Sequence, residues 1–239
     1  MAVCVVGIGG VGSWVAEALA RSGIGKLVLI DNDDISLSNT NRQIHALNNT
    51  IGRSKVAVMA ERIATINPNC DCLAIDDLLV TNNCAKYLLT EYDFVVDAID
   101  NVRFKADLIY YCKRNKIPVI TTGGAGGAID PTAIKVADLS KTWNDPLAAK
   151  VRARLRSQYA WTSNPKRRFG VECVFSVEQP WYPQLDGSIG HQKVGVKGVR
   201  LDCDMGYGSV STVTASFGMF VASRVINRSL RRWALSTAN

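Results

Sequence analysis

Gly7-Ile8-Gly9-Gly10-Val11-Gly12 lies between an apolar run, Val3 to Val6, and a helical pattern from Ser13 to Ser22. Glycines there permit a tight turn and bring backbone N–H groups, with the helix N-terminus, close to a phosphate. Asp31 stands 19 residues after Gly12, at the end of the next apolar run. A carboxylate in that place accepts from ribose hydroxyls. Alone, this pattern reads as a dinucleotide fingerprint, with NAD or FAD as the default ligand.

Residues further along argue against a hydride carrier. Asp33 follows Asp31 closely, then come Ser38-Asn39-Thr40-Asn41-Arg42-Gln43, Gly52-Arg53-Ser54-Lys55 and Asp97-Ala98-Ile99-Asp100-Asn101. A dehydrogenase has no use for an Arg, a Lys and a strand-terminal Asp gathered near phosphates, whereas a nucleoside triphosphate does. Arg and Lys neutralise phosphate oxygens and stabilise charge as it moves in the transition state. A carboxylate at a strand end is placed to hold Mg²⁺ against the phosphates. The plain alternatives are solvated charges at Arg42 and Lys55, and a helix cap at Asp100.

These residues need a frame. Apolar strands are expected at Val3–Val6, Lys26–Asp31, Leu73–Ile75, Asp93–Ala98 and Pro118–Thr121, with helices at Ser13–Ser22, Lys55–Asn67 and Ala106–Asn115. Such alternation, with continuous β-branched strands, predicts an α/β fold: a Rossmann-like, mostly parallel sheet with helices on both faces. Past Asp130 the pattern changes. Strands are expected at Ile134–Ala137 and Val171–Val177, a basic helix at Pro146–Arg156, a polar loop at Trp161–Gly170 and a closing helix from Val210 to Ala234. Trp181 to Arg200 shows no period. With no repeat and no low-complexity linker, residues 1–239 read as a single domain. Residues 1–130 form its nucleotide-binding core, and residues 131–239 form a substrate-facing half.

The motifs G-x-G-G-x-G, D-x-D, SN-x-x-RQ, G-x-x-K and D-x-x-DN, in this order, resemble the ubiquitin-activating-enzyme-like adenylyltransferases. That resemblance implies an ATP site lined by Gly7, Gly9, Gly10 and Gly12, with Asp31 and Asp33 at the ribose. It implies Asn39, Arg42 and Lys55 on the phosphates, and Asp100, beside Asn101, as the Mg²⁺ carboxylate. Arg42, Lys55 and Asp100 would carry the catalysis. The shared chemistry is attack of a carboxylate on the α-phosphate, giving an acyl-adenylate and pyrophosphate.

Longer stretches narrow the resemblance: NTNRQIHAL, ERIATINP, DAIDNVRFKADLI, YCKRNKIPVITTGGAGGAIDPT, DPLAAK, VFS and TASFG. They are similar to the tRNA threonylcarbamoyladenosine dehydratases. The implied reaction adenylates the free carboxylate of the modified base with ATP. A nucleophile of the same side chain then closes a ring, expelling AMP. The resemblance implies a cytoplasmic homodimer acting on tRNA, with a cysteine desulfurase or sulfur acceptor as a further partner. It also implies a helical arm ahead of the first strand, whose Arg often completes the partner subunit's ATP site. The runner-up readings are activation of a ubiquitin-like sulfur carrier and a non-catalytic tRNA- or partner-binding module. The sulfur-carrier branch holds zinc through paired C-x-x-C motifs, which this sequence lacks. Where that branch has Arg, five residues after Asp100, this chain has Lys105, with Arg103 as a nearby substitute.

Charge adds a second theme. The chain carries 28 Lys+Arg against 21 Asp+Glu, a net charge of +7. Lys150, Arg152, Arg154, Arg156, Lys166, Arg167 and Arg168 fall in an acid-free stretch, residues 147–171. Arg224, Arg228, Arg231 and Arg232 fall in another, at the spacing of one helix face. Setting both aside leaves 17 basic residues against 21 acidic ones. Positive charge so localised points to a polyanion, here a tRNA stem. Trp143, Tyr159 and Trp161 could stack a base, although local packing is the better expectation. Seven cysteines, an odd number, do not read as a disulfide framework. Cys173 and Cys203 are the candidates were a thioester to follow the adenylate, and both rank as structural. His45 is expected to support the Arg42 loop, and His191 belongs to no metal-like cluster. Neither uncharged stretch, Met1–Ala16 nor Met205–Ser223, reads as a signal peptide or a membrane span.

Overall fold

The computed structural model describes residues 1–184, 186–192 and 208–237. Cys203 and the latter part of the aperiodic stretch before it, from residue 193 on, lie outside these residues. The chain begins with β1 (Ala2–Val6), α1 (Gly12–Arg21), β2 (Lys26–Asp31), α2 (Lys55–Ile66), β3 (Asp71–Asp76), α3 (Cys84–Tyr87) and β4 (Phe94–Asp97). It continues with α4 (Val102–Arg114), β5 (Val119–Thr122), β6 (Ile134–Asp138), α5 (Pro146–Tyr159) and β7 (Glu172–Ser176). A small antiparallel pair, β8 (Tyr182–Pro183) and β9 (Ile189–Gly190), precedes the long α6 (Ser211–Thr237).

Among the described residues the main sheet has seven strands in the order β3-β2-β1-β4-β5-β7-β6. All neighbours are parallel except β6, which runs against β7. Strand side chains alternate between faces, and the core divides accordingly. Val3, Val5, Leu27, Leu29, Val96 and Val174 meet α1, α2 and α6 on one face. Cys4, Val6, Val28, Ile30, Val95, Cys173 and Phe175 meet α4 and α5 on the other. Burial on both faces explains why these strands are apolar without alternation.

The direction of winding reverses between β1 and β4. From β1 the chain steps outward to β2 and β3, then returns to β4 and moves the other way. The crevice beyond the carboxyl ends of these strands is where open α/β sheets bind ligands. Helix α4 starts ahead of the expected Ala106 because Asn101 caps it, its Oδ1 accepting from the N–H groups of Arg103 (3.0 Å) and Phe104 (3.3 Å). Strands β6 and β7, from the second half of the chain, extend the same sheet.

Candidate active site

A cavity of about 960 Å³ opens at the carboxyl ends of β1, β2, β4 and β5. Its walls include Gly7, Gly9, Gly10, Asp31, Asp33, Asn39, Arg42, Lys55, Asp100 and Asn101. Residues separated by most of the first half of the sequence thus meet at one crevice. Gly12 is the exception. A Cβ there would sit 1.8 Å from the Gly7 carbonyl oxygen, so this glycine serves the crossing of turn and helix rather than the ligand. It permits the approach that aims the α1 N-terminus into the cavity.

The acids divide their duties. Asp31 Oδ2 accepts from the Ile8 N–H at 2.6 Å, and Oδ1 from the Asp33 N–H at 2.9 Å. It therefore ties the glycine turn to the loop after β2. Burial raises its carboxyl above the usual range, while Lys55 opposes that shift. Asp33 is more exposed and pairs with the buried Lys55 Nζ at 2.6 Å. Asn39 Oδ1 accepts from the Ser36 N–H at 3.1 Å and closes the turn that carries Arg42. The Arg42 guanidinium reaches the Ser38 carbonyl (2.8 Å) and Asn41 Oδ1 (3.0 Å). Its own carbonyl accepts from Trp14 Nε1 at 3.0 Å. Arg42 is thus fixed by backbone anchors and has no carboxylate partner among the described residues.

Asp100 is exposed on the cavity wall. Beneath it, Asp97 and Lys105 form a fully buried ion pair at 3.0 Å, with the Thr121 hydroxyl donating to Asp97 at 2.6 Å. Burial pushes the Asp97 carboxyl up, against the pull of Lys105. Lys105 Nζ also donates to the Ile99 carbonyl at 2.9 Å, so it shapes the turn that presents Asp100. Lys105 is therefore a scaffold and not a substitute for a phosphate-binding Arg. Arg103 is exposed and does not line the cavity. Asn101 likewise acts first as the cap of α4.

The far wall escaped the sequence reading. Thr122, Gly123 and Gly124 leave β5 along the cavity, and the buried Asp145 accepts from the Gly124 N–H at 3.0 Å and the Ala148 N–H at 2.8 Å. One carboxylate thereby joins the glycine loop to the start of α5. The signal was present: an Asp directly before Pro146 is a helix start. Lys150 and Glu178 line the same end.

Other candidates fall outside the cavity. Cys173 is fully buried with its thiol pushed far up by burial, which leaves it a packing residue. His45 is buried and its ring nitrogens have no hydrogen-bond partner among the described residues. Burial, with Lys55 and Arg62 nearby, pushes its pKa down to about 4. His191 approaches the Pro180 carbonyl. The three aromatics are engaged internally: Tyr159 stacks on Tyr110, Trp161 meets Phe169 edge-on, and Trp143 meets Phe175. Arg224 and Arg228 of the closing helix are not free either, since both pair with Glu172 of β7, at 2.7 and 3.5 Å. Arg154 pairs with Asp107 at 3.6 Å. An acid-free stretch of sequence is thus partly neutralised by acids from other elements.

Residues 1–237 match the ThiF family. The chain is 54% identical over 233 residues to the tRNA threonylcarbamoyladenosine dehydratase of Escherichia coli (strain K12), covering 97% of this chain and 87% of that protein. It is 53% identical over 230 residues to the enzyme of the same name from Haemophilus influenzae, covering 96% and 86%. The solved structure of the Escherichia coli dehydratase in complex with ATP superposes with a TM-score of 0.86 at 50% identity, covering 97% of this chain and 86% of that one.

Proposed function

The chain belongs to the ThiF family, and from that premise we propose that it is an ATP-dependent dehydratase that cyclises threonylcarbamoyladenosine in tRNA. One observation carries the reading: a single crevice joins a glycine turn, the cations Arg42 and Lys55 and the exposed carboxylate of Asp100, in a chain similar over nearly its whole length to dehydratases of that name. ATP lies with its phosphates over Gly7, Gly9 and Gly10 at the α1 N-terminus and its ribose toward Asp33. Arg42 and Lys55 hold the phosphates. Lys55 keeps Asp33 until nucleotide arrives, so binding exchanges one anion for another.

The substrate carboxylate attacks the α-phosphorus, and pyrophosphate leaves. A nucleophile of the same side chain then attacks the acyl carbon, gives up its proton, and AMP departs with the carboxylate oxygen. The net change in the RNA is loss of one water. The positive ends of Arg42, Lys55 and the α1 N-terminus stabilise charge as it moves to the leaving pyrophosphate. Asp100 fits Mg²⁺, because the ion needs one or two carboxylates when phosphates and waters supply its other ligands. When bound, the ion would neutralise the phosphates. Among the described residues no three acids, histidines or cysteines gather as a cation cage, so any such ion depends on the nucleotide.

The single-domain arrangement of 1–239, the homodimer and a sulfur-transfer partner belong to the same proposal. Among the described residues, no helix is long and apolar enough to cross a membrane. ATP–pyrophosphate exchange is the test. Exchange that requires tRNA bearing the modified base, with loss of one water seen by nucleoside mass spectrometry, is the expected result. Exchange that instead requires a protein ending in Gly-Gly overturns the proposal in favour of sulfur-carrier activation.

A further inference from the structure

A second concavity, of about 340 Å³, lies at the amino ends of β4 and β5, the opposite end of the strands from the ATP crevice. Its floor is apolar: Phe94 at the start of β4, then Ile117, Pro118 and Val119 where the chain enters β5. Its rim is cationic. Lys113 and Lys116 come from the end of α4 and the turn after it, and Arg228 and Arg232 from α6. No acid lines it.

The nearby acids are occupied elsewhere. Asp93 Oδ2 accepts from the Ala2 N–H at 2.8 Å. Glu172 sits closer to Arg224 (2.7 Å) than to Arg228 (3.5 Å). Lys113 Nζ donates to the Gly170 carbonyl at 3.2 Å, and among the described residues Arg232 reaches only the Asp93 carbonyl, at 3.4 Å. The Arg228 guanidinium lies 5.5 Å from the Phe94 ring centroid. The Lys116 ammonium has no partner among the described residues. Four cations with at most a fraction of one counter-charge repel one another unless an anion joins them. Arg forks and Lys points around a shallow apolar floor suit phosphate oxygens attached to a sugar or base.

We propose that this concavity is a phosphate site, filled by the backbone of the RNA whose modified base enters the ATP crevice. The proposal rests on the tRNA reading given above. Continuity favours a polymer over a free nucleotide. Gly170, which the Lys113 contact brings to the rim, lies one residue beyond the exposed Lys166, Arg167 and Arg168, with the buried Phe169 between, so positive charge runs on from the pocket. The strands between the two sites are about 13 Å long at 3.3 Å per residue. A stem-loop can span that distance, with its loop base at the carboxyl ends of the strands and a stem phosphate at their amino ends. Contacts of this kind position the RNA without reading its sequence.

The test uses the full chain and tRNA bearing the modified base, with fluorescence anisotropy across a KCl series. The double variant Lys116→Asn, Arg232→Gln removes two rim charges. Lys116 has a positive φ of 58°, which Asn tolerates. We expect tRNA affinity to fall about tenfold and the slope of log K against log salt to shrink by about 1 to 2. ATP affinity and kcat should not change, while KM for tRNA rises. The charge-conserving Lys116→Arg, Arg232→Lys should restore binding. Unchanged affinity and slope in the neutralised variant overturn the site. Saturable binding of inorganic phosphate that the variant loses, with tRNA affinity intact, overturns the RNA assignment. If the unaltered chain exchanges pyrophosphate only with a different carboxylate and ignores tRNA, the functional reading has failed and takes this inference with it. A weaker tRNA affinity caused by misfolding is separated by the unchanged ATP affinity.

Discussion

Lys55 and Lys105 are both buried lysines paired with an aspartate, yet their surroundings give them opposite roles. Lys55 is bound to Asp33, whose carboxylate is largely exposed and can be released when a ligand enters. Lys105 is bound to Asp97 with neither group reaching solvent. The first pair can open for a ligand and the second cannot. Lys55→Ala should therefore lower the pyrophosphate-exchange rate by about 10²- to 10³-fold with little loss of stability. Lys105→Met leaves Asp97 uncompensated and should cost about 3 to 5 kcal/mol, read from the midpoint of urea unfolding. His45 adds a pH dependence. Its pKa falls from 6.5 to about 4 in the folded chain, so between those values the unfolded state binds more protons. Stability should drop as pH falls from 6.5 to 4, by on the order of 3 kcal/mol. His45→Gln should flatten that slope, and an unchanged urea midpoint-versus-pH curve would refute it. From sequence, the glycines and charged motifs of the crevice were legible because their spacing follows strand and helix lengths. Asp145 and the Asp97–Lys105 pair were not, since their meaning depends on elements far apart in the chain.

Elements cross where side chains are small. Helices α1 and α6 lie against each other on one face of the sheet, and Gly218 stands at the contact. A Cβ there would come 2.6 Å from Trp14 Cβ and 3.0 Å from the Val15 nitrogen. Helix α6 also carries Thr214, whose hydroxyl lies 3.4 Å from the Arg42 carbonyl, the same oxygen that accepts from Trp14 Nε1. Any shift of α6 on α1 is therefore felt at the loop that carries Arg42. Gly218→Ala should cost about 1 to 3 kcal/mol through overpacking and raise KM for ATP more than it lowers kcat. A variant with normal stability and normal KM would show that the two helices move apart without strain. The sheet itself was readable, because strands buried on both faces are continuous apolar runs. Short helices such as α3 were not, since four residues carry no period. The α6 arginines read as a free face, and only the fold shows that β7 brings Glu172 beneath them.

At the scale of the whole molecule, the sheet ties the two halves of the sequence together. The first half supplies β1 to β5, and the second inserts β7 beside β5 and β6 beyond it. The ATP crevice uses both, with Lys55 and Asp100 from one half and Asp145 and Lys150 from the other. Unfolding either half must then expose the core of the other and dissolve the crevice. Two consequences follow for thermal unfolding. Tryptophan fluorescence weighted toward Trp143, Trp161 and Trp181, and far-UV circular dichroism of the whole chain, should give one coincident transition. ATP at about 100 times its Kd should stabilise the folded chain by about 2.7 kcal/mol. For a chain of this size that raises Tm by roughly 5 to 10 °C, equally by both probes. Lys55→Ala should lose most of the shift. Separate transitions, with ATP moving only the circular dichroism signal, would mean that the second half folds on its own and merely adjoins the nucleotide core.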